Sequence, residues 1–323
     1  MILAMVARIT FLATDNREEI VIRKPNAVKI ESSWKMLTDR ASIVLPRNVP
    51  YFEKHKIKDV FRKGDPVLIE LGYNGFLNVE FEGYITRVSA NIPITIECED
   101  EMYQLKKILV NLSLPKTSLK ALLQQIIPGY DIDALEVEIG AQRFPKTTVA
   151  KVLDYLQKDY SLYSYMKGKQ IVCGKIYADN SDDEVVKIHL EKNVVSNELN
   201  YKHKEDVIIR ITAVSTLPDG RKIEVTVGDE DGEERQLSYY GIEIEAELET
   251  IAKEDLKKYK VDGFDGSIKL FGDPVIKHGQ KVELKSDLYP DRNGTYYVER
   301  TKVDFNDTPQ FRRTIQLGDK ANE

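Results

Sequence analysis

The side chains that could do chemistry are present in this chain, but their spacing does not gather them. Four histidines, His55, His189, His203 and His278, fall in different predicted elements, and none has the short-range partners that zinc requires. No nucleophile elbow, phosphate-binding loop or dinucleotide fingerprint occurs. The run Asp229-Glu230-Asp231-Gly232-Glu233-Glu234 begins like a calcium-binding loop. Its glycine comes too early and its closing glutamate is misplaced, so it reads as a solvated hairpin turn.

Glycoside hydrolysis would need two carboxyl groups in contrasting environments. The chain offers 53 Asp and Glu, but none stands in a distinctive cleft-like context. Glu243, Glu245, Glu247, Glu249 and Glu254 read as the wet face of a helix. Cys98 and Cys173 lie far apart on predicted strands and read as two buried thiols. The expectation is therefore a chain with no catalytic residue, no cofactor and no metal, and not an enzyme.

Seventeen tyrosines are unusual, and Tyr160, Tyr163, Tyr165, Tyr239, Tyr240, Tyr296 and Tyr297 sit in or just before predicted strands. Tyrosines interleaved with Lys and Arg would make a stacking platform for single-stranded nucleic acid. Here the surroundings are acidic or mixed, which favours an interface role, with plain sheet packing beneath both readings.

The elements that must carry these residues are mostly strands. The chain has 323 residues, 42% of them hydrophobic and 31% charged, which suits two or three globular units. A net charge of -6 argues against an intrinsic nucleic-acid binder. No apolar run is long enough for a membrane span, and the apolar opening, broken by Arg8, lacks the marks of a signal peptide. The expected site of folding is a cytoplasm.

Residues 1–108 read as a first small β-barrel. Its strands are Ala7–Leu12, Ala27–Glu31, Ala41–Leu45, Gly64–Leu71, Tyr84–Val88 and Ile94–Asp100, with a helical connection over Tyr51–Phe61. Residues 109–180 read as an inserted α+β module. It has a helix over Ser118–Ile127 capped by Thr117 or Ser118, a strand over Leu135–Ile139, a second helix after Thr147 or Thr148, and a hairpin of Ser161–Met166 with Gln170–Cys173. Residues 181–323 read as a second β-barrel with an embedded acidic helix from about Ile244 to Tyr259, and with a hairpin over Val207–Val227 turning at Pro218-Asp219-Gly220. The fold class expected is mainly β with an α+β insertion.

The two β regions share a pattern. Gly64-Asp65-Pro66-Val67-Leu68-Ile69, Tyr84-Ile85-Thr86-Arg87-Val88 and Ile94–Asp100 are echoed by Gly279-Gln280-Lys281-Val282-Glu283-Leu284, Tyr297-Val298-Glu299-Arg300-Thr301 and Arg313–Asp319. A chain that builds one small β unit twice uses both for one geometric job. Turn residues such as Gly64, Gly279, Asp273 and Pro274 are expected to set the backbone and not to touch a partner.

The stretch Gly266–Pro274, followed by Gly279–Leu284, Gly294–Glu299 and Arg312–Gly318, resembles the C-terminal part of phage-tail baseplate hub proteins, the late control protein D family. The hub portion of type VI secretion spike proteins is similar. Phe81-Glu82-Gly83-Tyr84-Ile85 and Glu97–Asp100 resemble the N-terminal barrel of the same family. The resemblance implies a homotrimeric ring in the virion tail or baseplate, assembled in the bacterial host cytoplasm. Two barrels in each of three subunits would give six near-equivalent positions, matching a six-fold tail tube on one side and a three-fold spike on the other. The implied partners are the chain itself, a tail tube protein, a spike or puncturing protein, other baseplate subunits, and DNA that passes without specific binding. Three copies would carry three times -6 in charge, and an acidic lumen would let DNA pass without sticking. Type VI spikes continue into a further barrel and a needle; this chain ends at Glu323, so its spike is expected on a separate chain. Two other classes stay open: a tail-associated peptidoglycan hydrolase, and a barrel that binds single-stranded nucleic acid.

Overall fold

The computed structural model describes residues 3–15, 17–46, 60–90, 92–174 and 185–321. Most of the expected Tyr51–Phe61 connection, and His55 with it, lies outside the described residues.

The class is mainly β with small helical insertions, as the alternating pattern implied. Among the described residues, however, the two β units are not separate sheets. Their strands join one thirteen-stranded sheet whose pairing follows an open path. Eleven of the strands run, from one end, Val194–Lys202, Gly263–Phe271, Gln310–Lys320, Gly294–Asn306, Ala27–Ser33, Arg40–Val44, Thr95–Glu99, Phe76–Val88, Pro66–Tyr73, Met5–Phe11 and Ile20–Ile22; the other two branch off, Lys281–Lys285 pairing with Gly294–Asn306 and Val186–His189 with Lys281–Lys285. The units fuse where Ala27–Ser33 pairs antiparallel with Gly294–Asn306, from Arg300 opposite Ser33 to Asn306 opposite Ala27. Val303, Phe305 and Phe311 accordingly enter the first core, among Val28, Ile43 and Ile69, and not the second core around Ile268, Val282 and Ile315. Each such side chain contributes about 1.5–3 kcal/mol by leaving water.

The duplication holds down to single hydrogen bonds. Gly64 N donates to Ile85 O at 2.7 Å, and Ile85 N donates to Asp65 O at 2.9 Å. In the second unit Gly279 N donates to Val298 O at 2.8 Å, and Val298 N donates to Gln280 O at 2.9 Å. Both glycines have positive φ, +95° and +82°, which explains glycine at both positions. A β-bulge follows in both copies, between Ile85 and Arg87 and between Val298 and Arg300.

Helix α1 (Leu119–Ile126) starts at Ser118, whose hydroxyl accepts from Ala121 N, and helix α2 (Val149–Tyr160) starts at Thr148 in the same way. Two features of the insertion depart from expectation. Leu135–Val137 is not a strand; strands occupy Asp131–Ala134 and Glu138–Thr148 on either side. Glu138–Thr148 pairs with Leu109–Ser118, a ladder that Pro115 and Pro145 disguise, since proline reads against strand. Helix α3 (Glu245–Tyr259) covers a separate three-stranded sheet. In it Ile209–Thr216 lies between Lys222–Gly228, antiparallel, and Glu233–Tyr240, parallel. Leu248 and Ala252 of α3 close its core over Ile211 and Val225.

Candidate functional site

The described residues that titrate or could ligate are spread over the molecule and serve mostly to hold it together. His203 Nδ1 stands 3.8 Å from Asp262. His278 is packed against Tyr165, ring centres 5.2 Å apart, and burial lowers its pKa to about 4. The calcium-like run is a backbone clamp. Asp229 accepts from Ile209 N at 3.0 Å and from the Lys260 ammonium at 2.6 Å, and Gly232 lies so close to Ile209 that no Cβ would fit.

His189, Glu191 and Asp287 are the exception, three possible ligands to one ion brought together from distant parts of the sequence. No local spacing could have revealed them. Their geometry is that of an ion-pair cluster: His189 Nδ1 faces Glu191 at 3.1 Å, while Nε2 faces Asp287 at 3.1 Å on the other side. Glu191 also accepts from Ser286 Oγ at 2.5 Å, and Asp287 also pairs with Lys192 at 3.0 Å. These partners hold both carboxyls below their ordinary range. The cluster ties the loop after strand Lys281–Lys285 to the end of strand Val186–His189, which run in parallel.

A second constellation missed in the sequence is a pair of half-buried acids. Asp39 and Asp100 flank the cross-strand neighbours Arg40 and Glu99, and Asp100 N donates to Asp39 O at 3.1 Å. Burial raises Asp39 to about 6. Burial, and then the charge of Asp39, raise Asp100 to about 8. Asp39 Oδ2 accepts from Ser32 Oγ at 2.6 Å. The pair stands where the chain leaves the first unit for the insertion, through the 3₁₀ turn Glu101–Lys106. That position makes it a joint between the first unit and the insertion.

The junction of the two units is locked by Arg313. This fully buried guanidinium meets the buried Glu80 at 2.6 Å and donates to the carbonyls of Gly272 (2.8 Å) and Pro274 (3.0 Å). Burial pushes the Glu80 carboxyl up even with Arg313 beside it. Alongside, Tyr73 OH donates to Phe311 O at 2.8 Å, and Asn78 donates to Asp273 at 3.3 Å. A Cβ on Gly272 would overlap the Phe311 ring. Asp273 thus holds a contact within the chain, while Gly64 and Gly279 act only through their backbones.

The tyrosines also work within the chain. Tyr163 stacks edge-on against Trp34, Tyr296 OH accepts from Phe264 N at 2.9 Å, Tyr239 OH donates to Asp255 at 2.6 Å, and Tyr240 OH donates to Tyr160 O at 2.6 Å. Several of these contacts seat the insertion, which also receives the Pro218–Gly220 turn, packed so close that a Cβ on Gly140 would clash with the Gly220 backbone. Sheet packing and module docking account for these contacts.

On the face of the main sheet opposite the first core lies a concave cleft of about 640 Å³. Strands of both units line it, and it spans the fusion between Ala27–Ser33 and Gly294–Asn306. Its exposed side chains are almost all charged.

No protein-family profile matches the chain, and no curated protein matches it by sequence. Solved structures do match. A tail protein from Neisseria meningitidis superposes with TM-score 0.63 at 14% identity, covering 99% of this chain and 97% of its own. A 43 kDa tail protein of prophage MuSo2 from Shewanella oneidensis gives 0.61 at 12% identity, covering 97% and 98%. An E. coli type VI secretion component, described as similar in structure to T4 bacteriophage tail proteins, gives 0.56 at 8% identity, covering 93% of this chain and 74% of its own. Over nearly its whole length, this chain has the fold of phage tail proteins and of a type VI secretion component.

Proposed function

We propose that the chain is a structural hub of a phage tail or a tail-like injection apparatus. Three copies form a ring that joins a six-fold tube to a three-fold spike, and DNA or other cargo passes through its centre. Residues 1–108 and 181–323 supply the two β units of each copy and residues 109–180 the insertion between them. The observation that carries this reading is the duplicated framework: the same glycine turn, the same reciprocal hydrogen bonds and the same bulge occur in both units. Two like units fused by one ladder present two like surfaces at a fixed relation, which is what a three-copy ring needs to offer six positions. The shared fold with tail proteins supports the same reading. The chain works by scaffolding, in the virion tail, with tube, spike and neighbouring baseplate subunits as partners.

Light scattering behind size exclusion over a dilution series tests the ring. The expected mass is near three times 37.0 kDa. A chain that stays at 37.0 kDa alone and when mixed with its tube and spike proteins contradicts it.

A further inference from the structure

We infer that the joint between the first β unit and the insertion is a proton-dependent latch, closed while Asp39 and Asp100 are both protonated and released as they ionise. The inference concerns a single copy and does not rest on the ring reading. One arm of the latch is the connection between strands Ala27–Ser33 and Arg40–Val44. There Trp34 meets Tyr163 edge-on with ring centres 4.5 Å apart, the Lys35 carbonyl accepts from Gln157 Nε2 at 3.1 Å, and Leu37 packs against the core of the insertion. The other arm is the 3₁₀ turn Glu101–Lys106, which enters the same core with Met102 and Leu105, both fully buried. Asp39 ends the first arm and Asp100 begins the second, so the two acids stand at the root of both.

The root suits neutral acids. Asp39 Oδ2 accepts from Ser32 Oγ, and Lys277 favours the charged form of Asp39 less than burial opposes it. Asp100 Oδ1 is sealed from solvent with no hydrogen-bond partner among the described residues, and the charges of Asp39 and Glu99 both oppose its ionisation. The other charges around the root have their own partners. Lys106 pairs with Glu99, Lys35 with Glu299, and Glu101 accepts from the hydroxyls of Tyr84 and Tyr130. Arg40 lies across the ladders from Glu99 and Glu31. From the second unit His278 packs on Tyr165 and stays neutral above about 4. Two carboxylates formed at the root would therefore repel each other with Lys277 alone to offset them, whereas water solvates both once the insertion lifts away.

Both acids hold their protons more tightly in the closed joint than in water, so closure is favoured in acid and is lost as pH rises through their values in the joint. A carboxyl kept neutral in the closed form raises the open fraction about tenfold per pH unit between its ordinary value and its value in the joint. With Asp39 at about 6 and Asp100 at about 8, the open fraction rises on the order of a thousandfold from pH 5 to pH 8. The β units, held by the ladder at Ala27–Ser33 and by Arg313 with Glu80, stay joined as the insertion opens.

Hydrogen exchange of the full chain between pH 5 and pH 8, corrected for the intrinsic pH dependence of exchange, tests this. The amides of Glu101–Lys106 and of helix α2 are expected to open at least a hundredfold more often at pH 8, while those of Pro66–Tyr73 in the first core hold constant. Emission from Trp34, the chain's one tryptophan, is expected to shift to the red over the same range. Asp39→Asn with Asp100→Asn is expected to abolish both changes. Asp100→Asn alone is expected to leave a rise of about tenfold, complete near pH 6. Opening that ignores pH, that spreads equally to Pro66–Tyr73, or that persists unchanged in the folded variants overturns the latch.

Discussion

The two β units share a framework and differ in how they close it. In the first, Pro66–Tyr73 turns tightly through Asn74-Gly75 into Phe76–Val88, and a longer connection then leads to Thr95–Glu99. In the second the order is exchanged. A long connection with a 3₁₀ turn, Pro290–Arg292, separates Lys281–Lys285 from Gly294–Asn306, and a tight turn leads into Gln310–Lys320. The tight turn of one unit thus corresponds to the open connection of the other. The framework preserves equivalence where the units must match, and the loops remove it where they meet different neighbours. The cores differ as well: the first takes Val303, Phe305 and Phe311 from the second.

The sharpest way to break this arrangement is at Arg313. Arg313→Ala leaves Glu80 buried and unpaired, and the expected cost is about 3–5 kcal/mol in urea or thermal unfolding. The double variant Arg313→Met, Glu80→Leu is expected to recover most of that loss, because two apolar side chains need no partner. If Arg313→Ala were silent, the lock between the units would be elsewhere.

A second test is pH. Asp39 at about 6 and Asp100 at about 8 hold their protons in the folded chain well above the ordinary aspartate value. Their contribution to stability is therefore fully present in acid and is lost as pH rises through those folded values. Asp100→Asn is expected to remove much of that loss, so that it stabilises the chain at pH 9 by on the order of 3 kcal/mol relative to its effect at pH 4. Urea midpoints across pH measure this, and parallel curves for the two proteins would refute it.

Smaller effects compare the units directly. Gly64→Ala and Gly279→Ala each force a left-handed backbone on a residue with a Cβ, with open space at Gly279 and only the flexible end of Lys107 near Gly64. Each is expected to cost about 1–2 kcal/mol, and equal costs are the signature of equivalence. Unequal costs in thermal melts would show that one turn relaxes where the other cannot. Tyr73→Phe removes the hydroxyl bond to Phe311 O and is expected to cost about 1 kcal/mol.

Much of this fold was legible because its signals are local. The alternation of strands, the caps Ser118 and Thr148, and the glycine turns at 64 and 279 are set by near neighbours, and the structure keeps them. The unexpected features are made at a distance. The pairing of Ala27–Ser33 with Gly294–Asn306 joins segments whose sequences carry no mark of each other. The parallel partnership of Ile209–Thr216 with Glu233–Tyr240 passes over the nearer antiparallel hairpin, which pattern alone would close as a pair. The candidate groupings were hidden for the same reason. His189 meets Asp287 through a parallel strand pair, Asp39 meets Asp100 across a ladder, and the charged lining of the cleft exists only once strands of both units are in register.

A sheet that runs without interruption through both units has a mechanical consequence. Bending or twisting one unit against the other would require breaking the ladder at Ala27–Ser33 together with the bonds around Arg313, so the pair behaves as a single stiff plate. The insertion is attached differently, by side-chain contacts such as Trp34 with Tyr163 and Gln157 with the Lys35 carbonyl. The joint between the β units is therefore stiffer than the joint to the insertion, and torque applied to one strand of the fused ladder is carried into the other unit.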